Sequence, residues 1–196
     1  MPLTILPNTE RVEYKVSKST FYGYVLPADS KAAVAAAVST CKALYPDATH
    51  VCAGYVLAEE EGAKDDGEPA GSAGAPILRR LKAAQLVRVV ALVVRYYGGV
   101  KLGFSGLVQA YGHTAQLAIE QAQQKGYLVP YIPIESVIVV SEFNRLGRLK
   151  NWLDRHRIVP VQVVYDEKAV FTLEIPRTLV PQFYAFTSEH SYQLIG

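Results

Sequence analysis

The segment Val87–Tyr97 constrains this chain more than any other. Its core, Val89-Val90-Ala91-Leu92-Val93-Val94, is apolar at both parities. A strand with one wet face alternates apolar and polar residues, so this pattern predicts a strand over 87–97 covered on both faces. Arg95 interrupts the pattern near the strand's end. A guanidinium there must be paired or must stand at the open edge of the sheet. Four glycines then fall within Gly98–Gly106, and helical patterning runs from about Ser105 to Lys125. Gly126 follows where a left-handed helix cap is expected.

Around this centre, Arg11–Val16 and Lys18–Leu26 read as strands, and Asp29 or Ser30 caps an Ala-rich helix that reaches about Leu44. Val51–Ala58 reads as a further strand, Glu59–Ala73 as a polar Gly-rich loop, and Ala75–Ala84 as a short helix with Pro76 in its first turn. Pro130 and Pro133 exclude a helix between them, which places a domain boundary there. The expected division is an α/β domain over 1–130 and a small domain over 131–196. The second reads strand (Ile134–Val140), helix (Asn144–Arg157), strands (Ile158–Tyr165 and Lys168–Ile175), helix (Leu179–His190) and a short final strand. Asp166-Glu167 predicts a tight hairpin turn. This β-α-β-β-α order is that of a ferredoxin-like half-sandwich, and the class of the chain is α+β.

Composition excludes several functions. No apolar run approaches the ~20 residues of a membrane helix. The first residues lack the basic start and apolar core of a signal peptide, so the expected location is cytoplasmic with no membrane partner. A net charge of +2 with interspersed signs does not by itself argue for nucleic acid. Cys41 and Cys52 fit no zinc spacing and no disulfide framework, so they read as buried or incidental thiols. No metal or cofactor is predicted.

Two loops remain as candidate chemistry. Asp65-Asp66-Gly67-Glu68-Pro69 sets three carboxylates within four residues. It reads as a solvated turn, as one side of internal ion pairs, or as a Mg²⁺ site. If the strands 51–58 and 87–97 run parallel, both following loops leave the same sheet edge, and Arg95 and Lys101 face the acids. The expectation is a direct salt bridge from Arg95 to Asp65, Asp66 or Glu68. Gly98-Gly99-Val100-Lys101-Leu102-Gly103-Phe104-Ser105-Gly106 passes from strand to helix with Ser105 as the expected N-cap. It reads as an anion site against the N–H groups of Ser105–Leu107, or as packing alone, and it matches neither dinucleotide nor P-loop fingerprints. Gln109, His113, Gln116 and Glu120 share a polar helix face. In the second domain, basic residues flank the stripe Leu146, Leu149 and Leu153; they border a buried face, or else face RNA with Trp152 as a stacking ring.

Three stretches together resemble the YigZ/IMPACT family. They are Asp65-Asp66-Gly67-Glu68-Pro69-Ala70-Gly71-Ser72-Ala73-Gly74 with Pro76-Ile77-Leu78, Val93-Val94-Arg95-Tyr96-Tyr97-Gly98-Gly99-Val100-Lys101-Leu102-Gly103, and Gly106-Leu107-Val108-Gln109-Ala110-Tyr111. Pro46-Asp47-Ala48-Thr49-His50 also fits. The resemblance implies a first domain like the second domain of ribosomal protein S5. It implies a ferredoxin-like second domain similar to the last domain of elongation factor G. It further implies a link to translation, which the eukaryotic members regulate by binding a protein that activates an initiation-factor kinase. Gln109 stands where the family usually has Arg, and Ser105 where it commonly has Gly.

The expected function is non-enzymatic binding or regulation, through contact with ribosome, RNA or a translation factor. The expected ligand-binding residues are Asp65, Asp66, Glu68, Arg95, Tyr96, Gly98, Gly99, Lys101, Gly103, Ser105 and Gly106, with no catalytic residue. Two alternatives stand beside it: a metal-assisted hydrolase or transferase acting on a phosphate-containing small molecule, and a protein–protein regulator that needs no nucleic acid.

Overall fold

Val89–Val94 are all at most 1% exposed, because helices cover the central strand on both sides. The computed structural model describes residues 1–7 and 10–195. The chain divides into two compact units, Met1–Tyr131 and Ile132–Gly196. The first carries β1 (Leu3–Ile5), β2 (Val12–Val16), β3 (Ser19–Pro27), α1 (Lys31–Leu44), β4 (His50–Val56), β5 (Glu61–Lys64), α2 (Gly74–Ala83), β6 (Val89–Tyr96), α3 (Gly103–Gln124) and β7 (Leu128–Pro130).

Five strands form one sheet in the order β2-β3-β6-β4-β5, and β1 pairs with β7. Contrary to the parallel arrangement considered above, β4 and β6 are antiparallel. The parallel relation lies instead between β3 and β4, since each runs antiparallel to β6 between them. The α1 crossover joins that pair and caps one face, where Val34 and Cys41 meet Val51, Ala53, Val90, Leu92 and Val94. On the other face α2 and α3 bury Ile77, Leu81, Ala110, Tyr111 and Ala115 against Phe21, Val25, Cys52, Ala91 and Val93. An antiparallel sheet therefore meets the demand for two covered faces as well as a parallel one does.

Local chemistry sets the boundaries. The Ser30 side chain accepts from the Ala33 N–H at 3.2 Å and starts α1. Gly126, at φ +73°, follows the end of α3. The polar stretch after Ala58 is not all loop, because Glu61–Lys64 pairs with Ala53–Val56 as β5. Ser105 does not cap α3. That helix begins two residues earlier at Gly103, whose φ of +69° turns the chain sharply there. A two-residue turn, Ser17-Lys18, joins β2 to β3 with both residues at positive φ.

The second unit holds β8 (Ile134–Ser141), a 3₁₀ turn (Phe143–Arg145), α4 (Leu146–Arg155), β9 (Gln162–Tyr165), β10 (Ala169–Pro176), α5 (Val180–Glu189) and β11 (Gln193–Ile195). Its antiparallel sheet has the order β11-β8-β10-β9. Alternate residues Val137, Val139, Ala169, Phe171, Leu173 and Ile175 pack under Leu149, Leu153, Val180 and Phe183, so both helices lie on one face. Strand β9 starts only at Gln162, after Pro160, and its hairpin loop is the three residues Asp166–Lys168. Trp152 stacks on His156 and packs against Phe183 and Phe186, so its ring serves this core.

Gly98 lies so close to the Ser17-Lys18 turn that a Cβ would overlap the Lys18 carbonyl. Gly98→Ala is expected to lower stability by about 1–3 kcal/mol through this collision. Gly99→Ala, whose Cβ meets nothing within 4 Å, is expected to lose about 1 kcal/mol or more from its φ of +84° alone. Urea unfolding midpoints of the two variants check both losses.

Candidate functional site

The two loops of interest meet because β5 folds back along β4. His50 opens β4 directly opposite Arg95, and β5 returns from Glu61 to Lys64, which pairs with Ala53. The chain then re-enters the His50 end of the sheet as Asp65–Glu68. Antiparallel pairing and one hairpin thus bring the acids to Arg95.

Each carboxylate of the cluster has a different task. Glu68, 8% exposed, receives Arg95 Nη1 on Oε1 at 2.6 Å and the Tyr111 hydroxyl on the same oxygen at 2.7 Å. Asp65 accepts the backbone N–H groups of Gly71, Ala73 and Gly74 at 2.8–3.0 Å and so closes the start of α2. Asp66 accepts the Val51 N–H at 2.7 Å and pairs with Lys42 at 2.5 Å. The expected salt bridge exists, and of the three acids Glu68 is the one that Arg95 meets. The three carboxylates do not converge, and among the described residues no His, Cys, Asp and Glu group has the makings of a metal site.

Arg95 is 5% exposed and lies between two rings, its guanidinium carbon 5.6 Å from the Phe21 centroid and 5.4 Å from that of Tyr97. Its five N–H groups find few acceptors: Glu68, a long 3.5 Å contact from Nη2 to Ser19 Oγ, and nothing for Nε among the described residues. Burial, with the Cys52 thiol and then Glu68 alongside, pushes the Tyr111 phenol far above its ordinary range, so it stays a donor. Burial likewise raises Cys52 to about 12 and Cys41 to about 11, which disfavours the reactive thiolate form of both free thiols.

A cleft of about 400 Å³ opens beside this pair. Thr49, His50, Glu68, Pro69, Arg95, Tyr97, Lys101, Leu102, Gly103, Phe104 and Leu107 line it. Four residues singled out from the sequence are therefore present: Glu68, Arg95, Lys101 and Gly103. Asp65, Asp66, Gly98, Gly99, Ser105 and Gly106 shape the loops without lining the cleft. Tyr96 faces the other side of the sheet and packs with Tyr22 and Tyr45. His50, which closes the Pro46–His50 stretch but was not among the expected ligand-binding residues, directs its Nδ1 to the Asp66 carbonyl at 2.7 Å. A carbonyl only accepts, so Nδ1 is the donor. Nε2 is thereby turned toward Glu68 Oε1, 3.8 Å away. The start of α3 also lines the cleft, and among the described residues no side-chain hydrogen bond caps it.

A mixed α+β chain with this loop pair defines a protein class, and sequence comparison names it. The Impact N-terminal domain matches residues 17–119. The chain belongs to the IMPACT family. It is 31% identical to "IMPACT family member YigZ" of Escherichia coli (strain K12), over 90% of this chain and 87% of that protein. It is 35% identical to "IMPACT family member in pol 5'region" of Thermus thermophilus, over 82% of this chain and 86% of that one. A solved structure described as a hypothetical protein superposes with a TM-score of 0.74 at 29% identity, covering 100% of this chain and 98% of the other.

Arg95→Ala strands the buried Glu68 carboxylate and is expected to cost about 3–5 kcal/mol in urea unfolding. The double variant Arg95→Ala/Glu68→Gln is expected to lose less than the sum of the two single changes. Acid should act through Asp65. Burial alone would raise its pKa, but the N–H bonds from Gly71, Gly74 and Ala73 outweigh burial and hold it below the ordinary 3.8. A carboxyl depressed in the folded state stabilises the fold above its unfolded pKa, and that contribution disappears as pH falls through the folded value. Unfolding midpoints measured from pH 7 downward should therefore drop below about pH 4 in the wild type and drop less in Asp65→Asn.

Proposed function

We propose that this protein is a non-enzymatic binding protein linked to translation, which takes RNA through the cleft beside Arg95. One observation carries the reading. The cleft gathers the Lys101 and Arg95 cations and the uncapped start of a 22-residue helix. Such a helix start carries about half a positive charge and free N–H groups, which suit phosphate oxygens. Ribosomal RNA or the RNA of a translation factor complex supplies such groups, and a cytoplasmic address goes with this role. Among the described residues no helix is long and apolar enough to cross a membrane.

The fold adds support. The second unit's β-α-β-β-α-β order, with strands arranged β11-β8-β10-β9 and both helices on one face, suits a ferredoxin-like domain of the kind that ends elongation factor G. The first unit is read as a relative of the second domain of ribosomal protein S5. The metal-assisted hydrolase or transferase has weaker support, because backbone N–H groups and Lys42 already occupy Asp65 and Asp66.

Fluorescence anisotropy of single-stranded RNA tests the proposal. Affinity should fall steeply with salt, and Lys101→Ala should weaken binding and reduce the salt slope by about 1. Unchanged binding by Lys101→Ala would remove the cleft from the function. Turnover of a nucleotide that needs Mg²⁺ and disappears in Asp66→Asn would favour the enzyme instead.

A further inference from the structure

The geometry points to a single nucleotide bearing a terminal phosphate as the cleft's ligand, a refinement that rests on the phosphate-binding reading above. The cleft carries two kinds of chemistry. The N–H groups of Gly103 and Phe104 open α3 without a side-chain cap hydrogen bond among the described residues, beside Lys101. Arg95, nineteen-twentieths buried, joins them with N–H groups in excess of its acceptors. Glu68, a buried carboxylate that lines the cleft, already has Oε1 occupied by Arg95 and Tyr111, which limits its repulsion of an incoming anion.

The cleft also presents apolar and aromatic side chains. Phe104 is 57% exposed and Tyr97 44% exposed, although both are large hydrophobic rings. Both line the cleft together with Leu102 and Leu107. Exposed rings beside a cationic surface suit base stacking, worth about 1–3 kcal/mol per base. A volume of about 400 Å³ lies within the usual small-ligand range of ~300–1,000 Å³. A ligand that uses both kinds of chemistry carries an anion and a flat ring.

Donor count separates a terminal from an internal phosphate. An internal phosphodiester offers one charge and two free oxygens. A terminal monoester offers three acceptor oxygens and a charge of about −1.5 to −2 at pH 7. Two helix N–H groups, a lysine and an arginine with spare donors match the monoester. Two sources present this chemistry: a free nucleoside monophosphate, and the 5′-phosphorylated end of an RNA chain.

Titration of the intact protein tests this with four probes: inorganic phosphate, AMP, a short single-stranded RNA with a 5′-phosphate, and the same RNA with a 5′-hydroxyl. The phosphorylated RNA should bind at least about tenfold tighter than the hydroxyl form, as expected for lost hydrogen bonds between charged groups. Lys101→Ala should shrink that difference, and Phe104→Ala should weaken AMP while sparing inorganic phosphate. Both side chains are exposed, and circular dichroism checks that the variants fold. Equal binding of the two RNAs overturns the inference and leaves RNA binding standing. AMP binding that longer RNA does not improve supports the nucleotide site and overturns the RNA reading. If inorganic phosphate competes as well as AMP and Phe104→Ala changes nothing, the aromatic side chains have no role and the inference fails.

Discussion

The pairing of Arg95 with Glu68 organises the first unit. A guanidinium at the end of a strand buried on both faces is costly unless an acceptor reaches it. Glu68 reaches it from a loop 27 residues earlier, and the Tyr111 hydroxyl binds the same oxygen from α3. One carboxylate oxygen thus joins the central strand, the acidic loop and the long helix. A buried ion pair of this kind contributes little net stability over an apolar replacement, but losing one partner is expensive. Its value here is positional, since it fixes the loop that holds His50 and the helix start that carries Lys101 against one cleft.

The three carboxylates of Asp65–Glu68 show how sequence neighbours can do unrelated work. Asp65 replaces the cap that Ala73 cannot provide for α2, accepting the N–H groups of Ala73 and Gly74 from outside the helix. Asp66 ties the loop to α1 through Lys42 and to β4 through the Val51 N–H. Clustered charge therefore reflects a loop that must be fastened at several points.

Much of this was legible from residues alone, and the gaps have physical causes. Charge at the end of an apolar strand was enough to foresee an ion pair for Arg95. The choice of Glu68 required the β4–β5 hairpin, which a Gly- and charge-rich stretch conceals because its four residues lack β-branched side chains. Tyr96 was grouped with Arg95, although adjacent strand residues point to opposite faces, so parity alone separates them. His50 ends a stretch that fits the family, but residue chemistry alone assigned it no task. Its role depends on standing opposite Arg95 in the register and on the carbonyl that orients its ring. Ser105 looked like a cap by side-chain preference, but the positive φ of Gly103 decides where α3 starts.

The sheet order β2-β3-β6-β4-β5 gives β6 a further significance. Two hairpins, β2-β3 and β4-β5, are each closed by neighbouring segments of the chain. Among the described residues they share no ladder except through β6, which follows both in sequence. The sheet is two halves with a single seam. Before that strand arrives, the open edges of β3 and β4 present unpaired N–H and C=O groups, the kind of surface that invites pairing with other chains. The uninterrupted apolar sequence of β6 is therefore also the means by which two separate hairpins become one folded body.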